Sequence, residues 1–301
     1  MHAMNRFIKD ENNPILGDAT TGTLFDVYVT KTDKQGFRMD LSARADNSLA
    51  VTFSADGLHW GPLETTLSAN PASGWEDSVN RHCVVQIGTV YKMWYTGQAH
   101  GNSYIGVAES TDGLHFERIR RDPVLVPEYP WEGQSVMNPC VLYENGVYRM
   151  WYSAGETYEP NVLCFAESDD GIHWRKSPLN PILEKNPAEE YEQDRIGGCQ
   201  VLPHKKLGYL LFYIGYRDIN TACICCAYTA NGITGFHRCS LNPLVSPEKG
   251  AWDEDSCYKP SALYDAEKDQ WRIWYNGRSS SMEFIGTAHA DGDFTKEDFA
   301  S

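Results

Sequence analysis

The sequence predicts an all-β fold, a five-bladed β-propeller with four-stranded blades. Three observations carry this: a turn signature that recurs along the chain, an aromatic strand before each turn, and an outer-strand motif at the N-terminus that the last repeat lacks. The turn reads Ser54-Ala55-Asp56-Gly57-Leu58-His59-Trp60, then Ser110-Thr111-Asp112-Gly113-Leu114-His115-Phe116, then Ser168-Asp169-Asp170-Gly171-Ile172-His173-Trp174. Weaker copies are Thr229-Ala230-Asn231-Gly232-Ile233 and Ala290-Asp291-Gly292. Their Asp or Asn positions, 56, 112, 170, 231 and 291, are 56, 58, 61 and 60 residues apart. Asp-Gly or Asn-Gly between apolar residues marks a hairpin, because Gly takes positive φ without a Cβ clash.

The aromatic strands are Phe37-Arg38-Met39-Asp40-Leu41, Tyr91-Lys92-Met93-Trp94-Tyr95, Tyr148-Arg149-Met150-Trp151-Tyr152, Tyr209-Leu210-Leu211-Phe212-Tyr213 and Trp271-Arg272-Ile273-Trp274-Tyr275. An apolar inner strand precedes each, at 26–30, 81–85, 138–142, 198–202 and 259–263. An outer strand with a Pro motif follows three of the turns, as Asp122-Pro123-Val124-Leu125, Asn180-Pro181-Ile182-Leu183 and Asn242-Pro243-Leu244-Val245. The same motif stands at the start of the chain, as Asn13-Pro14-Ile15-Leu16, while the last repeat runs out near Phe294. Residues 6–16 are therefore expected to supply the missing strand and close the ring, which removes exposed sheet edges. The expected organisation is one domain over 1–301, with blades near 24–67, 75–126, 131–184, 191–247 and 252–294 plus 6–16.

Composition narrows the function classes. With 26 basic and 41 acidic residues the formal net charge is −15, which argues against a nucleic-acid surface. No apolar run of about 18 residues exists, so no membrane span is expected. Residues 1–10 have no apolar core of a signal peptide, and most of the nine cysteines sit in apolar runs rather than at framework spacings. Buried reduced thiols in a cytoplasmic protein are the expected reading. The sequence carries no metal or cofactor signature, His82 and His204 being isolated, and does not reveal the oligomeric state.

In such a blade the inner strands begin at the face opposite the Asp-Gly turns, so His59, His115 and His173 read as structural. The chemistry is expected where the repeat breaks. The first position of the inner strands holds Asp26, Arg81, Asn138, Gly198 and Lys259, changing charge from blade to blade above apolar strands. The segments before them carry Asp77, Asp194 and Asp255. The ends of the second strands carry Arg44, Glu156, Arg217, Asp218 and Arg278. Glycoside cleavage needs two carboxyls, one protonated and one ionised. The candidates are Asp26 as base or nucleophile and Glu156 as acid, with Asp77 as alternative acid or as a neighbour that sets the pKa; Arg44, Arg81, Asn138, Asp194, Asp218, Lys259 and Arg278 are candidates for binding a carbohydrate substrate. The cations Arg44, Arg81, Arg195, Arg217, Lys259 and Arg278 would either take an anionic group, a uronate or inorganic phosphate, or pair with neighbouring carboxylates.

At these residues the chain resembles the five-bladed propeller glycosidases, the group around glycoside hydrolase families 32, 43, 62, 68 and 130. The resemblance lies in the aromatic strands, the Asn138-Pro139-Cys140-Val141 and Lys259-Pro260-Ser261-Ala262 inner-strand starts, and the Asp-Gly-x-His-Trp turns. In family 43 an Asp at the start of the first inner strand is the general base, and Asp26 matches it, with Val27 where that family has Pro. Val136-Met137-Asn138-Pro139 stands where family 43 has its Glu-Gly-Pro acid, so the acid does not carry over. The resemblance implies a glycosidase acting on a terminal bond. A phosphorylase using inorganic phosphate and a non-catalytic carbohydrate- or protein-binding propeller are the alternatives.

Overall fold

The computed structural model describes residues 4–32, 36–156 and 158–299. After a short N-terminal strand, β1 (Ile8–Lys9), the first antiparallel unit holds β2 (Leu24–Lys31), β3 (Phe37–Ala43), β4 (Ser48–Ser54) and β5 (Glu64–Ser68). The second holds β6 (Ser78–Ile87), β7 (Val90–Ala99), β8 (Asn102–Ser110) and β9 (Glu117–Arg118). The third holds β10 (Ser135–Glu144), β11 (Val147–Gly155), β12 (Pro160–Ser168) and β13 (Arg175–Lys176). The fourth holds β14 (Arg195–His204), β15 (Gly208–Asp218), β16 (Thr221–Thr229) and β17 (His237–Arg238). The last holds β18 (Ser256–Asp265), β19 (Gln270–Ser279) and β20 (Met282–Asp291). The fold is all-β, its described helices being single 3-10 turns. A single parallel pair, Ser103 with Ser135, joins the second and third units into one eight-stranded sheet.

The fourth strand of the last unit is β1, paired antiparallel to β20. Asn13 fixes it further along: its side chain donates to the Thr287 carbonyl and accepts the Thr287 N–H at 2.9 Å each. Asn180 does the same to Phe165, and Asn242 to Cys226. Lys9 also takes over the task of the outer-strand cations. Glu76 receives Tyr95 and Arg118; Glu132 receives Tyr152 and Lys176; Glu192 receives Tyr213 and Arg238; Asp253 receives Tyr275 and Lys9. The repeated acid after each crossover aromatic is thus a buried lock between strands.

The inner strands β2, β6, β10, β14 and β18 touch in sequence, and β18 touches β2. Five of the apolar clusters lie between consecutive units, and one packs Trp274 and Ile285 of the last unit against Val27 and Met39 of the first. Met39, Met93 and Met150 are fully buried, each contributing about 1.5–3 kcal/mol. Trp94, Trp151 and Trp274 donate their indole N–H to the turn carbonyls of Gly171, Gly232 and Gly57 in the next unit. In the first unit Asp40 replaces that Trp, and Arg38, held by Asp40, reaches the Gly113 carbonyl instead. The repeated histidines stay at these turns, with His59, His115 and His173 against Asp56, Asp112 and Asp170 at 2.7–2.8 Å.

Candidate functional site

Each inner strand bulges where it leaves the register of its neighbour. At the bulge stand Asp26, Arg81, Asn138, Gly198 and Lys259, all in the left-handed region with φ between 39° and 59°. Four of the five carry a side chain, at a cost of about 1–3 kcal/mol each that the surroundings must hold in place. A polar side chain from the preceding unit does so by accepting the freed N–H: Ser42 for Arg81, Thr96 for Asn138, Ser153 for Gly198 and Asn276 for Asp26.

Asp26, Arg81 and Asn138 border a cavity of about 380 Å³. Its wall carries three carboxyls, Asp26, Glu159 and Glu283, and three guanidiniums, Arg44, Arg81 and Arg278. Asp26 Oδ2, Asn138 Oδ1 and Arg278 Nε are buried without a hydrogen-bond partner among the described residues. All three belong to residues that line this one cavity. A larger groove of about 850 Å³ between the fourth and fifth units, bordered by Tyr191, Arg217 and Glu254, contains none of these orphaned atoms.

The carboxyls are differentiated. Asn276 ties the Asp26 backbone to the Glu283 carboxyl: its Oδ1 accepts the Asp26 backbone N–H at 3.1 Å, and its Nδ2 donates to Glu283. Burial, and then the charge of Asp26, push the Glu283 carboxyl up to about 7, against the pull of Arg44, Arg278 and Arg81. Arg44 stands 3.7 Å from Glu283, and Arg81 Nε 3.7 Å from Asp26 Oδ2. Glu159 is also raised, by burial, although it accepts the Tyr216 hydroxyl at 2.7 Å.

The structure brings Asp26, Arg44, Arg81, Asn138 and Arg278 together at the cavity. It places the other candidates elsewhere. Glu156 is 62% exposed and turned to Arg195 at 3.2 Å, outside the cavity wall. Asp77 is exposed at the crossover and does not line the cavity; its carbonyl accepts from Asn47 at the rim. Asp194 is tied to Arg195 at 2.6 Å, and Asp218 to Arg217 at 3.2 Å, so these pairs neutralise one another away from the cavity. Lys259 shares the bulge ring but is 2% exposed and does not line the cavity. Its charge acts on Cys83, Cys140 and Cys199, whose thiols burial pushes up to about 12. His82 is buried 3.6 Å from Asp40, and His204 meets Asp293 at 3.0 Å. Among the described residues no cluster of three or more His, Cys, Asp or Glu is arranged to hold a metal, and no helix is long and apolar enough to cross a membrane.

Sequence reasoning passed over Glu283 and Glu159. A signal existed for the first: Glu283 pairs with Arg278, where the matching pairs of the second and fourth units are Gln98 with Ser103 and Tyr216 with Ala222. An acid among small residues at a repeated position is the same kind of break that singled out Asp26.

Comparison with known proteins finds likeness over part of the sequence and in the fold. Residues 44–179 match the model of the glycosyl hydrolases family 32 N-terminal domain. An uncharacterized protein of Mycobacterium tuberculosis is 31% identical over 189 residues, 59% of this chain and 60% of that protein. A β-1,2-mannobiose phosphorylase of Thermoanaerobacter is 33% identical over 107 residues, 35% of each. The chain thus spans about three fifths of the length of the first of these relatives and about a third of the second. In fold, the structure of a thermostable family-43 glycoside hydrolase superposes with a TM-score of 0.70 at 18% identity, over 95% of this chain and 94% of that one. The resemblance to the propeller glycosidase superfamily holds in sequence and in fold.

Proposed function

We propose that this chain, as a relative of the propeller glycosidases, is a five-bladed propeller enzyme that cleaves a terminal glycosidic bond in the 380 Å³ cavity, with Glu283 as general acid and Asp26 as base or nucleophile. The carrying observation is the unequal pair of carboxyls. Glu283, raised to about 7 by burial and by the charge of Asp26, keeps its proton close to neutrality, as the group that protonates a leaving oxygen must. Asp26, whose carboxyl stands on the same wall beside Arg81, is the group to meet the anomeric carbon or a water. The acid role expected of Glu156 or Asp77 passes to Glu283 because those two side chains lie outside the wall. The cyclic contacts of the inner strands and the pairing of β1 with β20 support one domain of five blades. Nine free, buried cysteines support a reducing, cytoplasmic setting.

A second reading, phosphorolysis, is favoured by Arg44, Arg81 and Arg278 on the wall and by the match to a mannobiose phosphorylase. Guanidiniums of this kind hold phosphate bidentately where water would otherwise attack. The test is incubation with β-1,2-mannobiose and a panel of terminal glycosides, with and without inorganic phosphate. Free sugar released without phosphate is the expected result. Phosphate-dependent sugar 1-phosphate would select the second reading, and binding without turnover under either condition would overturn both in favour of a sugar-binding propeller.

A further inference from the structure

We propose that Tyr158 is the platform of a second sugar subsite at the mouth of the cavity, where the ring beyond the scissile bond stacks. The inference rests on the glycoside reading above and adds the substrate class: a di- or oligosaccharide rather than a sugar with a small aglycone. The cavity, about 380 Å³, is at the small end of ligand pockets, which run from about 300 to 1,000 Å³. Its wall sets the carboxyls and guanidiniums described above among small or aliphatic groups such as Ala43, Val79, Pro160 and Ile214, which offer no aromatic ring to a sugar. The aromatic rings in its wall are mostly spent: Phe25 is covered by Arg44 at 4.6 Å, Tyr258 by Arg278 at 5.4 Å, and Tyr216 is buried against Tyr258. Tyr158 differs from them, being 67% exposed while still lining the cavity.

Its backbone is held from both sides. Arg81, which faces Asp26, donates to the Tyr158 carbonyl at 3.1 Å, and Arg195 donates to the Glu159 carbonyl at 3.0 Å. Glu159 in turn accepts from Tyr216 at 2.7 Å. The ring is thus presented by an anchored backbone, so little ordering has to occur when a sugar arrives. A pyranose offers an apolar C–H face with a hydroxyl edge, and a Tyr ring offers a rigid apolar face with a polar tip at small cost in side-chain entropy. The Arg195 cluster, with Glu156 and Asp194, then has a use: it anchors the platform instead of contacting the reacting sugar.

The test compares Tyr158→Ala with wild type on two donors, the disaccharide cleaved in the screen above and the glycosyl fluoride of the same sugar, whose leaving group is too small to reach the ring. Expected is a fall in kcat/KM of about tenfold on the disaccharide, mainly through KM, and of less than about twofold on the fluoride. Tyr158→Phe and Tyr158→Trp should restore the disaccharide rate. Equal losses on both donors, or none on either, would overturn the subsite while leaving the catalytic reading intact. Should no donor turn over, a glycan array of mono- and disaccharides replaces the rates. Disaccharide binding lost in Tyr158→Ala would then uphold the platform and sink catalysis, and no binding by wild type would sink both.

Discussion

Glu283→Gln is expected to lower kcat/KM on glycosides with poor leaving groups by about 10²–10⁴-fold, the usual contribution of a positioned general acid. Donors whose leaving group departs without a proton should lose far less. In wild type the rate should fall as pH rises through about 7, because the protonated carboxyl is the active form and its folded value is raised to about that point. The variant should show no such alkaline limb. Stability gives an independent readout. A carboxyl raised by folding stabilises the native state only while protonated, so its contribution is complete below the ordinary Glu range of about 4.3 and is lost on the way up through about 7. Gln removes that loss, so the Tm of Glu283→Gln relative to wild type should be higher at pH 8 than at pH 4. A retained alkaline limb in the variant would assign the acid to another group.

The largest effect on stability is expected at Glu192, two residues from a control. Glu192 is fully buried and accepts Tyr213, both sides of the Arg238 fork at 2.8–3.0 Å, and the Asn186 N–H at 2.9 Å. Glu192→Ala strands the Arg238 charge and the Tyr213 hydroxyl, at a cost of about 3–5 kcal/mol. Glu190, 80% exposed and 4.0 Å from Arg217, should cost less than about 0.5 kcal/mol as Ala. Urea unfolding of both variants makes the comparison, and equal midpoints would show that the acid is not a lock between strands.

What repeats was legible in the sequence; what the turns decide was not. The Asp-Gly turns, the aromatic strands and the displaced Asn-Pro motif each map to one local geometry, so β1 could be paired with the last unit before any coordinates. The bulge ring was found by the opposite signal, a change of charge at Asp26, Arg81, Asn138 and Lys259 where the strands otherwise match. That signal gives a side chain's height along the ring and not its direction, so Lys259 shares the ring without lining the cavity. Beyond the second strands, direction depends on the turn. A register shift at Ala154 and Gly155 leaves Glu156 outside the cavity, whereas Glu159 lines it. Asp194 and Asp218 were drawn off by the adjacent arginines, a local competition that spacing does not record. Glu283 lay within reach of the same repeat-breaking logic, had the starts of the third strands been compared as the inner strands were.

The account depends on Asp26 and Glu283 facing opposite sides of one scissile bond. A crystal structure of the Asp26→Asn protein with an uncleaved disaccharide measures this directly. The expected density places the glycosidic oxygen within hydrogen-bond reach of the Glu283 carboxyl, with the anomeric carbon turned toward residue 26. A disaccharide seated in the groove by Tyr191 and Arg217, or one in the cavity with its glycosidic oxygen away from Glu283, would contradict it.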